Sequence, residues 1–226
     1  MPLAFDPRLA RAVQAEALAP HQQPTPRPLR TAVDFRQQWM RKHPYLSEFH
    51  SRAEHLHAAL LEGDPAVLAY VPQPFRLRIG VRRYTPDCYI TNDAARRRVV
   101  ELKPDGHLPE ELRIPLTHFF AEHGMVFEVV ASETVFAREI EAENWVEIVR
   151  ILHQSRELSA PEAEQEVRER LACADRCSLG DLIDPGDRER TYMSEVALFR
   201  LLHAGQVTAE LTERPLDLDT EITACI

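Results

Sequence analysis

Two periods of apolar residues along the chain predict where its helices and strands lie. Residues 47–62 place apolar side chains at a helical spacing, and Gly63 ends the predicted helix. Three segments rich in Val, Ile, Tyr and Phe follow, at residues 67–79, 84–91 and 98–103, and breaker residues bound each of them. We therefore expect one helix and then three strands in a meander.

The next part of the chain continues the alternation of helix and strand. Residues 108–123 have a helical composition, and 125–131 form the apolar run of a buried strand. Asn144 is a residue type that caps helices, which predicts a helix over residues 145–154. The order predicts an α/β fold with a mixed sheet.

The two ends of the chain differ from this core. Residues 1–33 are rich in proline and polar residues, which predicts a mobile or loosely packed arm with room for one short helix. Residues 155–226 predict three helices and then a hairpin, as in a winged helix. The expected domains are the arm at 1–33, a core at 34–154 and a winged-helix-like domain at 155–226.

Charge separates the front of the chain from its back. The net charge is −9, yet residues 1–106 hold 16 Lys or Arg against 11 Asp or Glu, whereas residues 107–226 hold 11 against 25. A basic front half suits a nucleic acid, and an acidic back half suits a protein partner. Charged side chains on an ordinary solvated surface would give the same distribution of charge.

Other classes of protein are disfavoured. No apolar run reaches the roughly 18 residues of a membrane span, and the first residues do not resemble a signal peptide, so we expect a cytoplasmic protein. The four cysteines lack the spacing of a zinc site, so we expect reduced thiols.

The candidate chemistry lies at the ends of two predicted strands. Side chains alternate along a strand, so Glu101 and Lys103 share one face. Asp87 opens the preceding strand, and an antiparallel hairpin would bring its carboxylate towards Glu101. Lys103 is also one of only two lysines among 27 basic residues. A compact ammonium is suited to a crowded phosphate site.

Two neighbouring carboxylates predict a hard divalent cation, Mg²⁺ or Mn²⁺, by ligand chemistry. The cation would lower the pKa of a bound water, Lys103 would orient that water or meet negative charge, and the Leu102 carbonyl could be a further ligand. The plain alternative is that Asp87 is a turn residue and that Glu101 and Lys103 form a solvated pair.

A fourth member of the site is less clearly indicated by the residues alone. Glu54 could act there, but Ser51 and Glu54 also match a capping box, and Glu48 competes for the role. Gln73 could support the site from a neighbouring strand, although a satisfied polar residue beside a strand kink explains it equally.

An ordered series of short motifs resembles the TnsA family of transposon-end endonucleases. These motifs are Ser51-Arg52-Ala53-Glu54, Gly63-Asp64-Pro65-Ala66-Val67, Gln73-Pro74-Phe75, Arg83-Tyr84-Thr85-Pro86-Asp87 and Val99-Val100-Glu101-Leu102-Lys103-Pro104. The resemblance covers most of residues 45–222. It implies a restriction-endonuclease-like PD-(D/E)xK core, and it selects Glu54 over Glu48.

The resemblance also implies a biological role. Members of the family cut one strand, on the 5′ side, of double-stranded DNA at transposon ends. A separate DDE transposase subunit cuts and joins the other strand, and an ATP-dependent regulator gathers both. The implied catalytic residues are Glu54, Asp87, Glu101 and Lys103, with Glu54, Asp87, Glu101 and Leu102 around the metal. The N-terminal arm and the acidic back half depart from the family pattern.

Arginines beside the predicted strands are candidates for gripping DNA phosphates: Arg76, Arg78, Arg82 and Arg83. Two other functions stay open, a stand-alone restriction or repair nuclease and a non-catalytic scaffold of the transposition complex. The basic residues of the predicted helix at 187–205 are balanced by acidic ones, so docking to a transposase partner is the preferred role of residues 155–226.

Overall fold

The computed structural model describes residues 5–174 and 176–225, and the chain divides into two compact units. The first unit runs up to Gln38 and includes Lys42–His55 and Ala66–Ala137. The second includes Trp39–Arg41, Leu56–Pro65 and the chain from Arg138 onward. The boundary at residues 137 and 138 precedes the predicted helix that was expected to close the core.

The first unit combines short helices with several strands. Its helices are α1 (Pro7–Ala10), α2 (Arg27–Arg30), the start of α3 (Arg52–Gly63), α4 (Glu110–Glu122) and α5 (Ser132–Phe136). Its strands are β1 (Val13–Ala15), most of β2 (Arg36–Trp39), β3 (Leu46–Phe49), β4 (Val67–Pro72), β5 (Leu77–Ile79), β6 (Arg82–Tyr84), β7 (Cys88–Asn92), β8 (Arg97–Lys103) and β9 (Val126–Ala131). The predicted α/β class is confirmed.

A four-stranded mixed sheet, in the order β4-β7-β8-β9, carries the central part of this unit. Strands β4, β7 and β8 are antiparallel neighbours, with Cys88 opposite Val100, whereas β9 lies parallel to β8. The parallel step is possible because α4 makes the crossover between β8 and β9. Val99 and Val100 are both fully buried, so β8 is covered on both faces.

The core of the first unit lies on one face of β7 and β8. Phe119 and Phe120 of α4 pack there against Val99, Tyr89 and Phe127. Helix α4 contains Pro115, which is buried and does not end the helix. The helix begins at Glu110 and continues past this proline to Glu122.

The N-terminal residues belong to this packing. Helix α1 packs on α4, and β1 pairs with β5 in a second sheet of order β1-β5-β6. Val13 of β1 is buried in the core. Apolar side chains within the predicted arm at residues 1–33 thus provide contacts that its composition did not reveal.

Two predicted elements have different bounds in the structure. The strand expected over residues 67–79 is two strands in different sheets, β4 and β5, because Gln73 has a positive φ of 41° and Pro74 follows it. The helix expected from residue 47 begins at Arg52, since Leu46–Phe49 is a strand paired with β2.

The second unit includes the end of α3 and is mainly helical. Its other helices are α6 (Glu139–Gln154), α7 (Pro161–Ala174), α8 (Leu179–Leu182), a 3₁₀ turn (Pro185–Asp187) and α9 (Arg188–His203). Its strands β10 (Arg176–Ser178), β11 (Val207–Ala209) and β12 (Glu221–Ala224) form a sheet of order β10-β12-β11. The predicted hairpin is present as β11 and β12, and β10 was not predicted.

Asn144 is not a helix cap. Helix α6 begins five residues earlier, at Glu139, and Asn144 is a buried residue within it. Its amide donates to the carbonyls of Leu211 and Arg214 and accepts from the Leu216 N–H, at 2.9, 2.9 and 2.8 Å. These bonds hold the chain between β11 and β12. The sequence did not indicate this role, because the bonded residues lie far apart along the chain.

No helix within the described residues is both long enough and apolar enough to cross a membrane.

Candidate functional site

Asp87 lies at the entrance to β7 and is bound to β8 in two ways. Its N–H donates to the Val100 carbonyl at 3.1 Å, so it extends the ladder beyond the pair of Cys88 and Val100. Its carboxylate oxygen Oδ2 accepts the Leu102 N–H at 2.7 Å. The side chain is therefore fixed against the end of β8, where the sequence predicts the other site residues.

Glu101 and Lys103 share one face of β8, as strand alternation predicts. Lys103 Nζ lies 2.5 Å from Glu101 Oε1. The Glu101 side chain is 4% exposed and that of Lys103 is 35% exposed, so this is not a solvated surface pair. The second carboxylate oxygen, Glu101 Oε2, is buried.

Glu54, on the first turn of α3, takes part in a capping arrangement and also lines the cavity described below. It forms a capping arrangement, because Oε1 accepts from the Ser51 hydroxyl at 2.9 Å and Oε2 from the His50 N–H at 3.1 Å. Oε2 also accepts from Gln73 Nε2 at 2.5 Å. Glu48 instead binds Gln37, on a separate strand.

These residues meet in a cavity of about 570 Å³ in the first unit. Glu54, Asp87, Leu102 and Lys103 line it, and the buried Glu101 is ion-paired with Lys103. Arg52, which was not predicted as a site residue, also lines the cavity. The predicted site residues, drawn from α3 and the β7–β8 hairpin, are thus brought together.

The carboxylates of the cavity influence one another. Burial, and then the charges of Glu101 and Glu54, raise the pKa of Asp87 well above its usual value. Burial also raises the pKa of Glu54, against hydrogen bonds that lower it. Burial and like charges at this position oppose ionisation of the carboxylates, and a positive charge beside them would favour it.

Lys103 supplies one positive charge to this group of carboxylates. Burial disfavours its charged form, but the hydrogen bond and charge of Glu101 outweigh that effect and raise the pKa of Lys103. Its ammonium is therefore protonated at neutral pH, and it is a donor rather than a base.

Tyr84 is an unpredicted neighbour of the site. Its hydroxyl is buried. Burial raises the pKa of Tyr84, and the charge of Glu101 and a side-chain hydrogen bond with Glu101 raise it further. Tyr84 is therefore a buried neighbour of the Glu101 carboxylate, in addition to Lys103.

The donor set fits a hard divalent cation in its chemistry. Glu54 and Asp87 line the cavity, as do Asp34 and Glu133, and the buried Glu101 carboxylate lies next to Lys103. Burial, and then the charges of Glu101 and Glu54, raise the pKa of Asp87. Within the described residues, however, no three His, Cys, Asp or Glu side chains are grouped to hold a metal ion. The carboxylates of Asp87 and Glu54 accept hydrogen bonds from protein donors, and the Glu101 carboxylate is ion-paired with Lys103. Leu102 binds Asp87 through its N–H, and a role for its carbonyl stays a prediction.

Gln73 makes contacts with two of the predicted site residues that the sequence did not specify. It is buried, its side chain binds Glu54, and its backbone N–H donates to the Asp87 carbonyl at 2.8 Å. The available signal was Gln followed by Pro at a strand break, which by itself also fits a satisfied polar residue.

The four candidate DNA-binding arginines lie on or beside the β5–β6 hairpin and are exposed. Arg78 is opposite Arg83 in the ladder, so these two share a face, whereas Arg82 is opposite Ile79. Arg78 binds Gln14 and Arg76 lies 3.8 Å from Glu16. The hairpin thus offers positive charge mainly on one of its faces.

No protein-family model and no curated protein matches this sequence.

Proposed function

We propose that this chain is a Mg²⁺-dependent DNA endonuclease of the PD-(D/E)xK kind. The observation that carries the proposal is the ion pair of Lys103 with the buried Glu101, beside Asp87 and Glu54 at one cavity. An ammonium beside clustered carboxylates is an arrangement that serves phosphodiester hydrolysis, where negative charge develops on the phosphate.

Each residue has a distinct task in this proposal. Asp87, Glu101 and Glu54 would hold the cation, which supplies Lewis acidity and a water of lowered pKa when it is bound. Lys103 donates to the attacking water or to the phosphoryl oxygen. The Leu102 N–H keeps the Asp87 carboxylate aimed at the cavity, and the exposed arginines of the hairpin bind phosphates next to the cut.

We further propose that the enzyme is a subunit of a heteromeric transposase, as in the TnsA family. The support is the ordered motif series together with a site built from those motifs. The subunit would cut one strand, on the 5′ side, at each transposon end, while a DDE transposase subunit acts on the other strand. An ATP-dependent regulator is the third expected component.

The second unit favours a docking role in that assembly. Its element order from α7 to β12, with β10 added to the β11–β12 hairpin, supports the proposal of a winged-helix-like unit. In α9, however, Arg188 is paired with Glu195 at 3.0 Å and Arg190 with Asp187 at 2.9 Å. Because these arginines are neutralised, a protein partner suits this unit better than DNA.

The test compares the purified chain with a mixture of the chain and the recombinase subunit on DNA that carries transposon ends. We expect little cutting by the chain alone, and end-specific nicking of the 5′ side in the mixture with Mg²⁺. Asp87→Ala and Glu101→Ala should abolish the nicking while assembly on the ends persists.

The other outcomes are equally informative. Strong cutting of arbitrary DNA by the chain alone would support a stand-alone restriction or repair nuclease. Wild-type levels of nicking by Asp87→Ala would remove this site from the chemistry, and a scaffold role would follow if the assembly still formed.

A further inference from the structure

Gln73 has a backbone conformation that residues other than glycine rarely adopt. Its φ is +41°, in the left-handed region, and its side chain is buried at 2% exposure. Such a conformation persists only where surrounding contacts hold it, and it is found often at functional sites. The contacts of Gln73 therefore indicate what the conformation is for.

The backbone of Gln73 joins two separate parts of the first unit. Its N–H donates to the Asp87 carbonyl at 2.8 Å, and its carbonyl accepts from the Gln23 N–H at 3.1 Å. Gln23 is itself buried, and its side chain donates to the Pro74 carbonyl at 3.3 Å. Residues 21–25, which the sequence placed in a mobile arm, thus lie against the strand break that carries Gln73.

The side chain of Gln73 continues the connection to the site. Nε2 donates to Glu54 Oε2 at 2.5 Å, so Oε1 faces the other way and accepts from Gln22 Nε2 at 3.2 Å. Gln22 Nε2 also donates to the Glu48 carbonyl at 2.8 Å, which fixes its position. A series of amide hydrogen bonds therefore runs from Gln22 through Gln73 to the Glu54 carboxylate.

A second connection runs from the same segment to the same carboxylate. The buried Thr25 hydroxyl lies 3.0 Å from His50 Nε2, and the His50 N–H donates to Glu54 Oε2 at 3.1 Å. Residues 21–25 therefore reach Glu54 by two routes, one through a side-chain amide and one through the loop before α3.

We propose that Gln73 is a positioning residue for Glu54, and that residues 21–25 complete the site by holding Gln73 in place. This rests on the proposed function, in which Glu54 acts at the cation. The alternative is that Gln73 only shapes the turn between β4 and β5. The two differ in what they require, because a turn needs the backbone conformation alone, whereas positioning needs the amide.

Two substitutions at Gln73 separate these roles. Gln73→Gly favours a positive φ and removes the amide. Gln73→Asn also tolerates a positive φ, but its side chain is shorter by one methylene and does not reach Glu54 in the same way. Gln22→Ala retains the Gln73 residue and removes the donor to its Oε1. Gln165→Asn, at an exposed position on α7, is the matched control for Mn²⁺ affinity and thermal stability, which are measured without the partner subunit.

Each full-length variant is assayed for Mg²⁺-dependent nicking with the recombinase subunit, for Mn²⁺ affinity without DNA, and for thermal stability. We expect Gln73→Gly and Gln73→Asn to lose about 10–100-fold in Mn²⁺ affinity or in kcat, the usual effect of removing a residue that orients a ligand, with the KM for DNA unchanged. Gln22→Ala should lose less in the same direction, and Gln165→Asn should match the wild type.

Wild-type Mn²⁺ affinity and kcat in a stable Gln73→Gly protein would overturn the positioning role and leave only the turn. A Gln22→Ala variant that matches Gln165→Asn would overturn the role of residues 21–25. If Gln73→Asn does not fold, the Gln73→Gly and Gln22→Ala variants still distinguish the positioning role from the turn. Failure of the proposed function looks different, since the wild type itself would then neither nick DNA with Mg²⁺ nor bind Mn²⁺, and this inference would be overturned with it.

Discussion

Lys103 Nζ lies 2.5 Å from Glu101 Oε1 on one face of β8, and the Glu101 side chain is 4% exposed whereas that of Lys103 is 35% exposed. The ammonium therefore neutralises a buried carboxylate while it stays partly open to the cavity. In the proposed function, a cation bound to Glu101 would leave this ammonium available to a phosphate.

Replacing Lys103 with alanine should lower the rate of nicking about 10²–10³-fold, because a donor to developing negative charge is lost. Lys103→Arg should also be impaired, since a planar guanidinium does not replace a compact ammonium in a crowded site. Lys42→Ala, which alters the other lysine of the chain, is the control. Equal rates for Lys103→Ala and Lys42→Ala would show that the ammonium takes no part.

Asp87→Asn should raise the Tm of the metal-free protein, since it removes a carboxylate whose pKa is raised by burial and by the charges of Glu101 and Glu54. A raised folded-state pKa means that stability falls as the pH rises through that pKa, so the gain should be larger at higher pH. The amide still accepts the Leu102 N–H. We expect about 2–4 °C for each 1 kcal/mol of repulsion removed.

Asp93→Asn is the matched control for this measurement, because Asp93 is exposed and also accepts a backbone N–H, that of Ala94 at 2.6 Å. Its Tm should stay within about 1 °C of the wild type, in line with the small effect of most surface substitutions. Added Mg²⁺ should stabilise the wild type but not Asp87→Asn. An Asp87→Asn protein that is less stable than the wild type at alkaline pH would show that the ionised Asp87 carboxylate does not destabilise the fold.

The affinity for Mn²⁺ should increase with pH. Burial and neighbouring charge raise the pKa of Asp87, and burial raises that of Glu54, so a bound cation must displace protons at mildly acidic pH. Calorimetric titration from about pH 5 to about pH 8, a range above the ordinary carboxylate pKa, should show tighter binding at each step until the carboxylates are ionised. A constant affinity over this range would argue that Asp87 and Glu54 are not ligands.

The β5–β6 hairpin should contribute to DNA affinity mainly through one face. Arg78 and Arg83 lie opposite each other in the ladder, whereas Arg82 lies opposite Ile79. Alanine at Arg78 or Arg83 should weaken binding to any DNA sequence and reduce the magnitude of the salt slope by about 1 per lost phosphate contact. Arg82→Ala should have a smaller effect. Arg113→Ala on α4 is the control, and equal losses at all four positions would indicate a diffuse charge effect.

Gly63→Ala should destabilise the second unit through a steric clash. A Cβ at this position would overlap the indole ring of Trp145, which is buried on α6. We expect a loss of about 1–3 kcal/mol in the free energy of unfolding by urea, as for other overpacked sites. Gly80→Ala has open space around its Cβ but a φ of +60°, so it should lose about 1 kcal/mol for its backbone conformation alone. Equal losses would show that Trp145 moves aside without cost.

The local pattern of residues was sufficient to predict the elements around the site. Strand alternation places Glu101 beside Lys103, and a breaker between two β-rich segments predicts the hairpin that brings Asp87 to β8. These relationships hold over short distances in the sequence, so propensity and periodicity determine them. The existence of α4 and β9 followed from the same kind of signal.

Contacts between distant residues were decided by the tertiary structure. The choice of Glu54 over Glu48 depends on which carboxylate faces the cavity, and the role of Gln73 depends on a segment about 50 residues earlier in the chain. Asn144 was predicted to cap a helix but holds a loop about 70 residues away. A single sequence does not encode such pairings in any local period, because they arise only when the chain has folded and buried polar groups must find partners.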